Sequence, residues 1–291
     1  MTRRPASDQP NGVVITGTSS GIGEACALYL DELGYRVFAG VRRPEDGATV
    51  KSRASARLTP LLLDVTDAVS IHQAAETVRA AVGLAGLAGL VNNAGIGVGG
   101  PLEVVPPADL RKLFEVNVIG QVAVTQAFLP LLRQGRGRIV NMGSIAGRVA
   151  TPFLGPYSAS KFALEALTDA MRMELQPWGI HVSIVEPGAI ESRIWDKARQ
   201  SADEMEAAAD PEAKARYGEA VARVREAMAQ AAQRAIPARV VAEAVAHALR
   251  AARPKTRYLV GLDAKLRAVL AAWLPDRVQD WLLAKALKLP K

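Results

Sequence analysis

Seven short apolar runs, each leading into a longer stretch of helical character, constrain this chain more than any other feature. The runs are Val13–Thr16, Tyr35–Val41, Leu58–Leu63, Leu87–Asn92, Arg138–Gly143, Ile180–Glu186 and Thr256–Val260. Between them Gly21–Leu33, Ala68–Val82, Asp109–Leu132, Tyr157–Gln176 and Ala238–Ala252 read as helices. Runs such as Val13-Val14-Ile15-Thr16 and Leu61-Leu62-Leu63 lack polar alternation, so they suit strands covered on both faces. The expected fold class is α/β: a doubly wound, mostly parallel, seven-stranded sheet in a single domain.

The 291 residues are 49% hydrophobic, which is ample for one large core and excludes disorder for most of the chain. Residues 1–10 are polar and turn-like and read as a disordered head, ahead of a main domain at 11–262. Ser192–Ala235, rich in Ala, Glu, Arg and Gln, reads as a peripheral helical segment, and 263–291 as amphipathic basic helices around Trp273 and Trp281, separated by Pro275. The single cysteine, Cys26, can form neither an internal disulfide nor a structural zinc site. With no apolar leader, and no uninterrupted apolar run near the roughly 18 residues of a spanning helix, the expected location is cytoplasmic.

The formal charge of +7 permits nucleic acid, a membrane surface or an anionic ligand as partner. Residues 251–291 hold nine Lys and Arg against three Asp, a net of +6. Trp273, Trp281 and leucines alternate with those cations, as in an interfacial helix, so peripheral membrane contact is one reading of the tail. Helices packed on the domain or on a second subunit are the other. Nucleic-acid binding has no motif with groove or stacking geometry and is excluded.

Thr16-Gly17-Thr18-Ser19-Ser20-Gly21-Ile22-Gly23 joins the first strand to the first helix. Glycines let the backbone approach an anion closely, and the helix N-terminus adds partial positive charge, so the turn suits a pyrophosphate. A plain tight turn is the alternative, since the spacing is not G-x-G-x-x-G. After the second strand, Val41 is followed by Arg42 and Arg43, with no acid before Glu45. A guanidinium there accommodates a 2′-phosphate where an acid would bond a 2′-hydroxyl, so Arg42 favours NADP(H) over NAD(H).

Tyr157-Ser-Ala-Ser-Lys161 places a phenol and an ammonium on one helix face. Tyrosine is a poor base at its ordinary pKa of about 10, but a cation about 4 Å away is expected to pull it toward working pH. Ser144, at the end of the preceding strand, can hydrogen-bond a substrate oxygen; alone it reads equally as a turn serine or helix N-cap. Met142 excludes a G-x-S-x-G nucleophile elbow. His72, His181 and His247 have no partner pattern and read as structural, and no metal site is expected.

With these motifs in order, the chain resembles the short-chain dehydrogenase/reductase family, and its branch of 17β-hydroxysteroid and retinol dehydrogenases. Thr16–Gly23 is similar to the family's TGxxxGxG, Asp64-Val65 to its adenine-contacting position, and Asn92-Asn93-Ala94-Gly95 to NNAG. Asn117 resembles the active-site helix asparagine, Ser144, Tyr157 and Lys161 the catalytic serine and YxxxK pair, and Pro187-Gly188 the PG motif. The resemblance implies a Rossmann-type fold and a catalytic tetrad. Tyr157 is then the acid/base, Lys161 lowers its pKa and holds the ribose, Ser144 positions the substrate oxygen, and Asn117 keeps a relay water.

It further implies cofactor contacts at Gly17, Ser19, Ser20, Gly21, Ile22, Gly23, Arg42, Asp64, Val65, Asn93, Ala94, Gly95, Tyr157, Lys161, Pro187, Gly188, Ile190 and Ser192. A substrate lid at about 190–236 is implied too. Ser20 departs from the Lys or Arg that NADP-preferring members often carry before the second glycine. Substrate contacts are expected at Ser144, Phe153, Tyr157 and Trp195, for a hydrophobic alcohol or ketone of steroid, retinoid or long-chain type. Ile96, Val98, Val149, Ile194, Met205 and Tyr217 are further apolar candidates. A homodimer or homotetramer follows from the family habit. A cofactor-binding sensor without turnover is the alternative, against which the complete Ser–Tyr–Lys set weighs.

Overall fold

The computed structural model describes residues 11–192 and 211–289. Its strands are β1 (Gly12–Ile15), β2 (Arg36–Val41), β3 (Leu58–Leu62), β4 (Leu87–Asn92), β5 (Arg138–Met142), β6 (His181–Pro187) and β7 (Arg257–Val260). The helices are α1 (Gly21–Glu32), α2 (Pro44–Lys51), α3 (Ala68–Val82), α4 (Pro107–Phe114), α5 (Gly120–Gly135) and α6 (Gly155–Leu175). They continue with α7 (Pro211–Gln233), α8 (Ala238–Arg250), α9 (Leu262–Trp273) and α10 (Asp276–Ala286).

The strands form one sheet in the order β3-β2-β1-β4-β5-β6-β7. Every pairing is parallel, so the expected mostly parallel sheet is wholly so. Helices cover both faces. Val13 and Ile15 of β1 join Leu30, Val37 and Val245 in one core layer, while Val14 joins Phe38, Val124 and Phe128 in the other. Two buried faces explain why the strands lack polar alternation. Strand order reverses between β1 and β4, and in open α/β sheets the crevice beyond such a reversal receives the ligand.

Three local features depart from the sequence reading. The segment after β2 forms α2, with Pro44 in its first turn, Glu45 and Asp46 at the N-terminal end and Lys51 in the last turn. The helix expected over Asp109–Leu132 starts at Pro107 and ends at Gly135, and a π-turn at Glu115–Ile119 divides it. The stretch Pro107–Gly135 is long and apolar enough to cross a membrane. Phe128 and Leu132, fully buried within it, account for that composition as core packing. Of Ser192–Ala235, Pro211–Gln233 is helical, and 193–210 lie outside the described residues, as does the head at 1–10.

Candidate active site

The turn after β1 is shaped by close approach. Gly17 has φ +69°, and a Cβ there would lie 2.8 Å from the Ala94 backbone; a Cβ on Gly23 would lie 2.2 Å from the Gly17 carbonyl oxygen. Asn93 fixes this packing, its Nδ2 donating to the carbonyls of Thr16 and Gly17 at 2.9 and 3.0 Å. Thr16 Oγ1 accepts from the N–H groups of Asn93 and Ala94, both at 2.9 Å. The NNAG residues therefore clamp β4 to the glycine turn. Ser20, the N-cap of α1, makes no side-chain capping bond, so its hydroxyl does not occupy the first-turn N–H groups that an anion at a helix N-terminus would use.

All the cofactor residues expected from the sequence line one groove of about 550 Å³ at this crevice. The two arginines after β2 separate clearly. Arg43 donates through Nε and Nη2 to both carboxylate oxygens of Asp46, at 3.0 and 2.9 Å. Arg42 lines the groove and forms no ion pair among the described residues. Asp64 holds its own turn, Oδ1 accepting from the Thr66 N–H and hydroxyl at 2.9 and 2.8 Å. The glycine cradle, the uncapped helix and the free guanidinium fit a phosphorylated dinucleotide.

Ser144, Tyr157 and Lys161 line the same groove. Ser144 caps the short turn Ile145–Gly147, its Oγ accepting from the Ala146 N–H at 3.1 Å, and also hydrogen-bonds Tyr157. The N-cap and substrate-oxygen readings of this serine are therefore compatible. Lys161 is buried on α6, one turn after Tyr157, and its Nζ donates to the Met142 carbonyl at 2.8 Å. The ammonium lies 5.7 Å from the Tyr157 ring centroid.

The electrostatics differ from the sequence expectation. Burial pushes the Tyr157 phenol up to about 12, and the Ser144 hydrogen bond works against it. Lys161 does not depress it, because the ammonium is itself disfavoured by burial and held down at about 8, with Glu165 partly restoring it. Tyr157 is therefore a proton donor at neutral pH. Lys161 is the group that titrates nearby. Its charged form prevails below about 8 and is lost above, so dinucleotide affinity should fall as pH rises through about 8. Fluorescence titration of NADPH across that range checks this, and Lys161→Met should abolish the step; a step that persists in the variant assigns it elsewhere.

Asn117 sits in the π-turn, fully buried. Its Oδ1 accepts from the Ile96 N–H at 2.8 Å, and its Nδ2 donates to the Ile96 carbonyl at 3.0 Å and to Ser160 Oγ at 3.1 Å. Both amide hydrogens are thus spent inside the protein, and a relay water would find no side-chain donor on Asn117. The side chain instead ties the loop after β4 to α6, since Ser160 Oγ donates to the Tyr157 carbonyl at 2.7 Å. Sequence reading passed over Ser160. It also passed over the buried chain in which Asn92 Nδ2 donates to Thr125 and Asn141 at 2.8 and 3.0 Å, and Asn141 to Thr168 at 2.9 Å. That chain locks β4 and β5 to α5 and α6 beneath the site.

A second, apolar cavity of about 590 Å³ adjoins the groove, and Ser144, Gly188 and Ile190 line both. Phe153 and Val149 line it as expected. Phe153 holds φ +65°, a conformation costing a non-glycine residue about 1–3 kcal/mol, and its ring stacks edge-on with Tyr217 at 6.3 Å. Ile96 lines the groove, Val98 is buried in neither wall, and Trp195, Ile194 and Met205 lie outside the described residues. The rest of the wall comes from α7 and, unexpectedly, from the inner faces of α9 and α10.

The family profile described as short chain dehydrogenase matches residues 11–203. Retinol dehydrogenase 5 of Mus musculus is 40% identical over 292 residues, covering 98% of this chain and 91% of its own. An NADPH-dependent 3-dehydrocapnine reductase of Ornithobacterium rhinotracheale is 37% identical, with coverage of 94% and 96%. The 17-beta-hydroxysteroid dehydrogenase type 6 of Rattus norvegicus is 36% identical, with coverage of 96% and 89%. Among solved structures, a short chain dehydrogenase from Burkholderia cenocepacia in complex with NADP superposes with TM-score 0.71 at 28% identity, covering 97% and 99% of the two chains. One from Burkholderia phymatum in complex with NAD gives 0.74 at 26% identity, covering 90% and 92%. The chain belongs to the short chain dehydrogenase family, in its retinol and steroid dehydrogenase branch, and is a nicotinamide-dinucleotide-dependent oxidoreductase acting on CH–OH groups.

Proposed function

We propose that this enzyme transfers a hydride between NADP(H) and a hydrophobic alcohol or ketone, and that Tyr157 acts as its acid in the direction of carbonyl reduction. The observation that carries this reading is the meeting of the two cavities at Ser144, beside a phenol that burial keeps protonated. When bound, the dinucleotide supplies the hydride at its nicotinamide carbon. Ser144 orients the carbonyl oxygen, Tyr157 delivers a proton to that oxygen, and Lys161 holds the ribose from the groove floor. Arg42 favours the 2′-phosphate, and the name of the Ornithobacterium relative is in keeping with NADPH. Apolar walls of Ile145, Val149, Phe153 and Met228 suit a steroid, retinoid or long-chain carbonyl. Oxidation of NADPH and NADH over a panel of such ketones tests the reading. Turnover with NADPH and hydrophobic members supports it, and no turnover with any member and either cofactor contradicts it.

The tail carries a second part of the reading. While α9 and α10 wall the cavity with one face, their other face exposes Leu262, Leu266, Trp273 and Trp281, with Trp273 82% exposed. Lys265, Arg277, Lys285 and Lys288 lie on the same two helices and their end, so the occupant of this face is an anionic bilayer surface. Full-length protein should float with phosphatidylglycerol vesicles, and Trp273→Glu with Trp281→Glu should leave it at the bottom of the gradient. Equal flotation of both forms removes the idea. Truncating the tail is no test, since it would open the cavity.

A further inference from the structure

The apolar cavity contains charged groups that the chemistry of a simple ketone does not need. Its polar lining consists of Ser144, Thr151, Arg225, Asp263, Arg267 and Gln279. Gln279 is committed to the α9 C-terminus, its Nε2 donating to the carbonyls of Ala271 and Leu274 at 3.3 and 2.8 Å. Asp263 Oδ2 accepts from the Ala189 N–H at 2.9 Å, holding the loop after β6. Arg267 is different. Its Nη2 donates to Thr151 Oγ1 at 2.8 Å, and that neutral hydroxyl is its one side-chain hydrogen-bond partner among the described residues.

A guanidinium carries five N–H donors in a planar fork, so most of those on Arg267 have no side-chain acceptor among the described residues. Asp263, one turn earlier, favours the Arg267 charge from a distance but forms no contact ion pair with it, while burial works against the charge. The cavity that Arg267 lines is otherwise largely apolar, with Ala271, Leu274, Leu282 and Leu283 in its wall. A partly desolvated cation without a contact counter-ion is unfavourable unless an anion arrives to meet it. The helix that carries Arg267 packs on the turn after Ser144, because Ala264 and Ala268 of α9 cluster with Ile145 and Val149.

We propose that Arg267 is a specificity residue, and that the substrate is an amphiphile: a hydrophobic alcohol or ketone bearing a carboxylate, sulfonate or phosphate that its guanidinium receives. Planar anionic oxygens match the fork, and Thr151 holds the side chain in place for them. This rests on the apolar cavity being the substrate site of the oxidoreductase proposed above. The uncharged remainder of the substrate fills the wall of α7, α9 and α10.

Calorimetric titration in the presence of NADP⁺ tests this without turnover, using a long-chain keto acid and its methyl ester as paired probes. Wild type should prefer the acid, and Arg267→Met should reduce the acid-to-ester affinity ratio about 10–100-fold, the span of charge-assisted hydrogen bonds. Arg267→Lys should recover part of the ratio, because a point charge replaces the fork. NADPH affinity of each variant reports an intact fold. A wild type that binds acid and ester alike, or a ratio unmoved in Arg267→Met, overturns the proposal. Reduction of neutral ketones by that same wild type leaves the oxidoreductase reading standing, so the two failures are distinguishable.

Discussion

Replacing Tyr157 with phenylalanine should lower kcat for ketone reduction by about 10²–10⁴-fold, the usual contribution of a positioned general acid. The change removes one oxygen and keeps the buried ring, so NADPH affinity and Tm should move little. With the phenol pushed up to about 12, Tyr157 should stay protonated across the working range, and wild-type activity should show an alkaline limb near 8 that arises from Lys161. A Tyr157→Phe enzyme within tenfold of wild type would falsify the acid role. An alkaline limb unchanged in Lys161→Met, on whatever activity remains, would reassign that titration.

The second large effect is expected at Arg42. Arg42→Ala should raise KM for NADPH about 10–100-fold and leave KM for NADH within about twofold, because the guanidinium serves only the extra phosphate. Arg43→Ala is the internal contrast. Its guanidinium is exposed and spent on Asp46, so both cofactors should be nearly unaffected. Equal losses for NADPH and NADH in Arg42→Ala would remove it from the 2′-phosphate position. Loss in Arg43→Ala of the size expected for Arg42 would exchange their roles.

The sequence was most legible where one strand end meets one loop. Strand-length apolar runs placed all seven strands within one or two residues, and the motifs after β1, β4, β5 and β6 converge because parallel strands carry their C-terminal ends to one edge. What could not be read depended on neighbours distant in sequence. The direction of the Tyr157 shift turns on burial, and a charge four residues away in sequence did not announce that its ammonium would be bound to Met142 and itself desolvated. The π-turn around Asn117 leaves no mark in residue type. In α2, Gly47 and Thr49 obscured a helix whose end signals were present: Pro44, the acids after it and Lys51.

The tail shows the same limit on a larger scale. Its helices are apolar on two sides, and spacing alone did not distinguish the side that walls the cavity from the side that faces outward. A basic, tryptophan-bearing extension thus contributes both an exposed apolar face and part of the cavity wall, Arg267 included. Substrate selectivity and localisation are for that reason expected to respond to the same short segment.

The most direct test of the central claim is the fate of the hydride. Reduction of a hydrophobic ketone by wild-type enzyme with NADPH deuterated at the nicotinamide C4, analysed by mass spectrometry of the alcohol, should place deuterium on the carbinol carbon, from one face of the nicotinamide only, with Tyr157→Phe giving little product. An alcohol free of deuterium with both C4 epimers, or labelled product formed equally by Tyr157→Phe, would contradict the account.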